Sequence, residues 1–128
     1  MSNFKNRSKE LQILEEIYKN KKPKLLIVYG RRRVGKTELL QEFLKKHKGL
    51  YLLARQESEK EQLEKFSRQI AEFFSDEVLK VNPFSSWDSL FIYLSKKEKV
   101  PIIFDEFHYA VQASKKLPSV LKYYWYNH

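Results

Sequence analysis

The apolar run "KLLIVYG" (24–30) passes directly into "RRRVGKT" and then into a helical pattern, and this junction constrains the fold of the 128-residue chain more than any other segment. A continuous apolar run of this length reads as a strand covered on both faces, which requires a layer above it and another below. Two further runs of the same kind, "LYLLA" (50–54) and "VPIIFDEF" (100–107), are separated from the first by segments with helical spacing. Strands that alternate with helices predict an α/β domain with a parallel sheet and flanking helices. Three strands are expected.

The helical segments are legible from their periodicity. Residues 8–19 place Leu11, Leu14, Ile17 and Tyr18 on one face. The pattern breaks at "NKKP", since the residue before a proline is biased out of the helical region. Residues 36–47 carry Leu39, Leu40, Phe43 and Leu44, with Gly49 as a C-terminal stop. The segment 58–74 is a long amphipathic helix with Leu63, Phe66, Ile70 and Phe73 facing inward. "VNPFSS" reads as a loop that ends in a capping signal before a short helix bearing Trp87, Leu90, Phe91 and Leu94. The tail "LPSVLKYYWYNH" is expected to be helical.

Composition narrows the class. Hydrophobic residues at 42% and charged residues at 32% describe a globular chain that can bury a core. No apolar run reaches the roughly 18 residues of a membrane span. The N-terminal segment has basic residues but no apolar region of the secretory kind, and the absence of cysteine excludes disulfides and thiolate metal sites. A cytoplasmic location is expected. The net charge of +9 admits two readings, a nucleic-acid footprint or a lysine-rich surface balanced by glutamates. Basic residues are dispersed among acids and no base-reading motif is present, which favours the second.

The segment 30–37 has the form G-x-x-x-x-G-K-T, and it stands directly after a strand and opens a helix, as a phosphate loop must. By residue frequencies such a match arises by chance in well under roughly 1% of chains this long, so chance does not account for it. Gly30 and Gly35 let consecutive backbone N–H groups turn inward as an anion nest. The helix that follows adds its unpaired N–H groups and the positive end of its dipole. Lys36 would reach the β- and γ-phosphates, and the Thr37 hydroxyl would ligate Mg²⁺. The nucleotide-contacting set is Gly30, Arg31, Arg32, Arg33, Val34, Gly35, Lys36, Thr37 and Glu38, with the three arginine side chains read as solvated.

A phosphate loop needs a carboxylate at the end of a neighbouring buried strand. "PIIFDEF" supplies Asp105 to orient the metal shell, and Glu106 can polarise an attacking water as a general base. His108 follows the acidic pair and reads as structural, while His47 and His128 share no metal-ligand spacing. No guanine-reading Asn-Lys-x-Asp motif occurs, so a GTPase is unsupported. A small-molecule kinase is possible, though the acidic pair points to water activation and an ATPase.

With these motifs in place, the chain resembles the archaeal ATPase family, a branch of the AAA/STAND-like P-loop NTPases. "FKNRSKELQILEEIYK" is similar to that family's N-terminal segment, "YGRRRVGKTELL" to its phosphate loop (Walker A), and "IIFDEFHYA" to its acidic strand (Walker B). "YLLARQESEKEQLEKFSRQIAEFF" follows its second strand and long helix, and "FSSWDSLFIYL" resembles a later helix. The resemblance implies ATP and Mg²⁺ as ligands, Lys36 and Thr37 as phosphate and metal contacts, Asp105 as the metal carboxylate and Glu106 as the catalytic base. It also suggests that Arg7 lies near the adenine edge.

Family members continue beyond the point where this chain stops, so residues 1–128 are expected to form part of an ATPase domain, with a helical segment over 1–22 and the core over 23–128. In this class a further strand lies between the phosphate-loop strand and the acidic strand. Without it, those two strands either pair directly or leave open backbone edges that invite self-association or a protein partner. The expected function is Mg-ATP binding with slow hydrolysis. The alternative is a non-catalytic remnant that acts through protein contacts.

Overall fold

A computed structural model describes residues 25–27, 36–97 and 100–126, with side chains over 38–97 and 100–124. The helix expected over 8–19, Arg7, the loop 30–35 and His128 lie outside the described residues. The elements run β1 (Leu25–Ile27), α1 (Lys36–His47), β2 (Leu50–Leu53), α2 (Glu59–Phe74), α3 (Glu77–Val81), α4 (Trp87–Ser95), β3 (Ile102–Asp105), α5 (Phe107–Ala113) and α6 (Leu117–Leu121). A π-helical turn, Lys122–Tyr126, continues α6.

The fold is α/β. Its three described strands form one parallel sheet in the order β1-β3-β2. The register aligns Leu25 with Ile102 and Ile27 with Phe104 on one side of β3, and Leu50 with Ile102 and Leu53 with Asp105 on the other. Of the two arrangements open to β1 and β3, direct pairing is the one adopted. It satisfies the inner N–H and C=O groups of both strands, which would otherwise be buried and unpaired at a cost of about 1–3 kcal/mol each.

All four residues of the central strand are buried, as a strand flanked on both edges and both faces requires. Their side chains alternate between two apolar layers. Ile103 packs with Leu40, Phe43 and Leu44 of α1 and with Tyr51. Ile102 and Phe104 face the larger layer built from α2, α4, α5 and α6. There Phe104 meets Phe66 at 5.0 Å and Phe107 at 4.8 Å between ring centroids, both edge-to-face, the arrangement that ring quadrupoles favour.

Helix α2 starts at a reciprocal capping box: the Ser58 hydroxyl accepts from the Glu61 N–H, and the Glu61 carboxylate accepts from the Ser58 N–H. Its inward stripe holds Leu63, Phe66 and Ile70, but Phe73 is 39% exposed. Successive steps of three, four and four residues carry the buried face to Phe74, which packs on the core and leaves Phe73 at its edge. Two further differences are local. Asp76 accepts from the Leu79 N–H and caps the short helix α3, which the sequence reading did not anticipate. The strand read over 100–107 stops at Asp105, because Glu106 turns left-handed and Phe107 already belongs to α5.

Gly49 does more than help stop the helix, where its N–H donates to the Leu44 carbonyl at 2.9 Å. The left-handed residue after α1 is Lys48, with φ 54°, whereas Gly49 is required by close approach. A Cβ at position 49 would lie 2.5 Å from the Pro101 carbonyl oxygen and 2.3 Å from Leu44 Cδ2. That carbonyl accepts the Leu50 N–H at 2.9 Å and starts the β2–β3 ladder, so it has no room to yield. Gly49→Ala is therefore expected to destabilise the fold by about 2–3 kcal/mol, read as a lower midpoint in denaturant with an unchanged slope.

Candidate functional site

In an open parallel sheet, ligands bind outside the carboxyl ends of the strands. At that end of this sheet, β1 leaves toward residues 28–35 and α1 begins at Lys36 and Thr37. These two residues are therefore the first of a 12-residue helix, where N–H groups have no intrahelical partner and the dipole is positive. Their side chains, with Gly30, Arg31, Arg32, Arg33, Val34 and Gly35, lie outside the described residues. Glu38 occupies the same first turn and is exposed.

One strand over from β1, at the end of β3, stand two adjacent acids. Asp105 is fully buried and Glu106 is 6% exposed. Alternation along β3 puts Asp105 on the same face as Ile103, the face covered by α1. Its Oδ1 accepts the Glu106 backbone N–H at 2.8 Å, and its Oδ2 accepts the Tyr51 hydroxyl at 2.6 Å. The Asp105 carbonyl accepts from Ala54, the residue after β2, at 3.0 Å, which extends the ladder to the edge of the site.

Glu106 adopts φ 55°, ψ 41° at the start of α5. A left-handed backbone costs a branched or long side chain about 1 kcal/mol or more, and such positions usually hold glycine or asparagine. Glu106 is thus a nearly buried acid, next to a second buried acid, in a disfavoured backbone conformation. Such residues concentrate where chemistry requires them.

His108, read from the sequence as structural, is brought to the acids: its Nε2 lies 3.7 Å from Glu106 Oε1, within reach of an electrostatic contact but beyond a hydrogen bond. Its Nδ1 is buried without a hydrogen-bond partner among the described residues. His47 instead packs on Phe43.

Two residues at this end of the sheet were not signalled by any motif. Tyr51 reads in sequence as one more residue of a buried strand. Gln62, from α2, is fully buried, and its Nε2 faces the carbonyl oxygens of Arg55, Glu57 and Tyr109 at 3.0, 3.0 and 3.2 Å. It ties the segment after β2 to α5, the helix that Glu106 begins. The polar position within an apolar stripe was its only trace in the sequence.

The donor set at the end of β3 is hard oxygen, suited to a hard cation held by one or two carboxylates with further ligands from water or substrate. Among the described residues no three of His, Asp and Glu gather into a metal cage. None of the described helices is long and apolar enough to cross a membrane.

The family model for an ATPase domain found predominantly in Archaea matches residues 4–128, which include the whole of this site. The chain belongs to that archaeal ATPase family. Among curated proteins, an uncharacterized ATP-binding protein from Methanocaldococcus jannaschii is 51% identical over 45 residues, 35% of this chain and 76% of the relative. A second relative from the same organism, known only as an uncharacterized protein, is 32% identical over 123 residues. That match takes in 92% of this chain but 24% of the relative, so the archaeal ATPase chain described here spans about a quarter of that protein. No solved structure matches the chain at a significant level.

Proposed function

We propose that this member of the archaeal ATPase family binds Mg-ATP and hydrolyses it slowly. The observation that carries the reading is the buried Asp105–Glu106 pair at the end of the strand paired to β1, with Asp105 on the face covered by α1. Support also comes from the relative named as an ATP-binding protein. In this reading the backbone of 30–35 and the first turn of α1 cradle the phosphates, and Lys36 bonds the β- and γ-phosphate oxygens. Thr37 and Asp105 are the residues that would hold Mg²⁺, and their hydroxyl and carboxylate oxygens suit that ion. Bound Mg²⁺ supplies charge neutralisation on the phosphate oxygens as the terminal phosphoryl group departs.

Glu106 accepts a proton from the attacking water as its oxygen closes on the terminal phosphorus. The near-complete burial of this carboxylate keeps bulk water away from it and strengthens its pull on the one water admitted. Turnover by a single chain is expected to be slow, because an arginine finger, where one is used, raises the rate by about 10³–10⁵.

Calorimetric titration with ATP, ADP and adenosine, each with Mg²⁺, tests the binding reading. ATP and ADP are expected to bind and adenosine to bind at least about a hundredfold more weakly, since the phosphate cradle supplies charge-assisted hydrogen bonds of about 1.5–3 kcal/mol each. Equal affinity for ATP and adenosine, or no binding at millimolar nucleotide, would sink it.

A further inference from the structure

Asp105 is held from two sides by donors from two different elements. The Glu106 N–H, from the turn into α5, fixes Oδ1 at 2.8 Å. The Tyr51 hydroxyl, from β2, fixes Oδ2 at 2.6 Å. The second bond is diagonal. Leu53 is the register partner of Asp105 and Tyr51 is that of Ile103, so the phenol leans two residues along the strand, on one face, to reach the carboxylate. Its ring lies half-buried against Ile103 and the α1 side chains Leu40, Phe43 and Leu44, which limits the angles from which the hydroxyl can point. A carboxylate pinned through only one oxygen can rotate about its Cβ–Cγ bond. Pinned through both, it presents one plane.

We propose that Tyr51 is a positioning residue that sets the orientation of Asp105 toward the metal of a bound Mg-nucleotide. The proposal rests on the Mg-ATP reading above. A tyrosine hydroxyl near a buried acid often does no more than satisfy itself, which would make the bond a packing feature of the β2–β3 pair. The two roles differ in what they predict. Groups that hydrogen-bond a metal ligand from behind hold it in the geometry that the ion demands, and their loss lowers metal affinity or activity by about 10–100-fold. Mg²⁺ is the strict case, since it accepts little departure from octahedral geometry. A packing role instead weakens every state of the protein alike.

The test is equilibrium ATP binding to Tyr51→Phe, measured with Mg²⁺ and again with EDTA in its place. Phenylalanine keeps the ring and its contacts and removes only the donor, and far-ultraviolet circular dichroism checks that the variant stays folded. Y51F is expected to bind Mg-ATP about tenfold more weakly than the wild type, and to bind metal-free ATP as the wild type does. Asp105→Asn serves as the reference and should lose the Mg²⁺-dependent increment entirely. If Y51F loses the same factor with and without Mg²⁺, or loses nothing while Asp105→Asn does lose the increment, Tyr51 is a packing residue and the proposal is overturned, with Mg-ATP binding left standing. If Asp105→Asn itself retains the full Mg²⁺ increment, Asp105 does not serve the metal and the role of Tyr51 falls with it, whereas Mg-ATP binding itself stands.

Discussion

Glu106→Gln is expected to leave ATP binding intact and to lower single-turnover hydrolysis by about 10²–10⁴-fold, the usual worth of a positioned general base. Glutamine matches glutamate in shape, so the packing around a side chain that is 6% exposed should survive. It is no better suited than glutamate to φ 55°, so the backbone strain is unchanged and the comparison isolates the proton acceptor. The backbone N–H that holds Asp105 Oδ1 also remains. Following labelled phosphate release with enzyme in excess over Mg-ATP separates the chemical step from product release. Turnover that persists at the wild-type rate in this variant would move the base elsewhere, with His108 at 3.7 Å the first candidate.

Lys36→Ala is expected to weaken ATP binding by about 10–100-fold, since it removes a charge-assisted hydrogen bond to phosphate worth about 1.5–3 kcal/mol. Its effect on the fold should be small. Lys36 is the first residue of α1, and alanine is the better helix former there. Hence the thermal midpoint without nucleotide is expected to match the wild type, whereas the increase that Mg-ATP brings should largely vanish. Paired with Glu106→Gln, the variant divides the proposed activity at its natural joint: one substitution removes affinity and the other removes chemistry. Wild-type protein that binds ATP no better than Lys36→Ala would contradict the role given to the loop.

Much of the architecture was readable because the signals are short-range. The serine-rich start signal before α4, where the structure caps with Ser86, the apolar stripe of α1 and the three apolar runs are patterns confined to a few residues, and each became the element it suggested. The errors also have local causes. Phe73 and Phe74 are both large and apolar, and periodicity alone could not choose between them at the fraying edge of the stripe. Gly49 does stand at the helix end as expected, but what requires glycine there is the Pro101 carbonyl that β3 brings within 2.5 Å of where a Cβ would sit.

The candidate site divides in the same way. The phosphate-loop motif and the Asp105–Glu106 pair are each an unbroken run of neighbouring residues, so residue type and spacing alone marked them as a nucleotide-binding pattern. Tyr51 and Gln62 carry no such mark, because their partners stand far away: 54 residues separate Tyr51 from Asp105, and 47 separate Gln62 from Tyr109. By itself the sequence determined the α/β class, the order of the three strands and the longer helices along the chain, and the two acids. Only the tertiary structure decided that β1 pairs directly with β3, that Glu106 turns left-handed, and that a tyrosine from the neighbouring strand holds the acid in place. Strand order and side-chain pairing follow from the summed burial and hydrogen bonding of segments remote in the chain, and no local pattern encodes that sum.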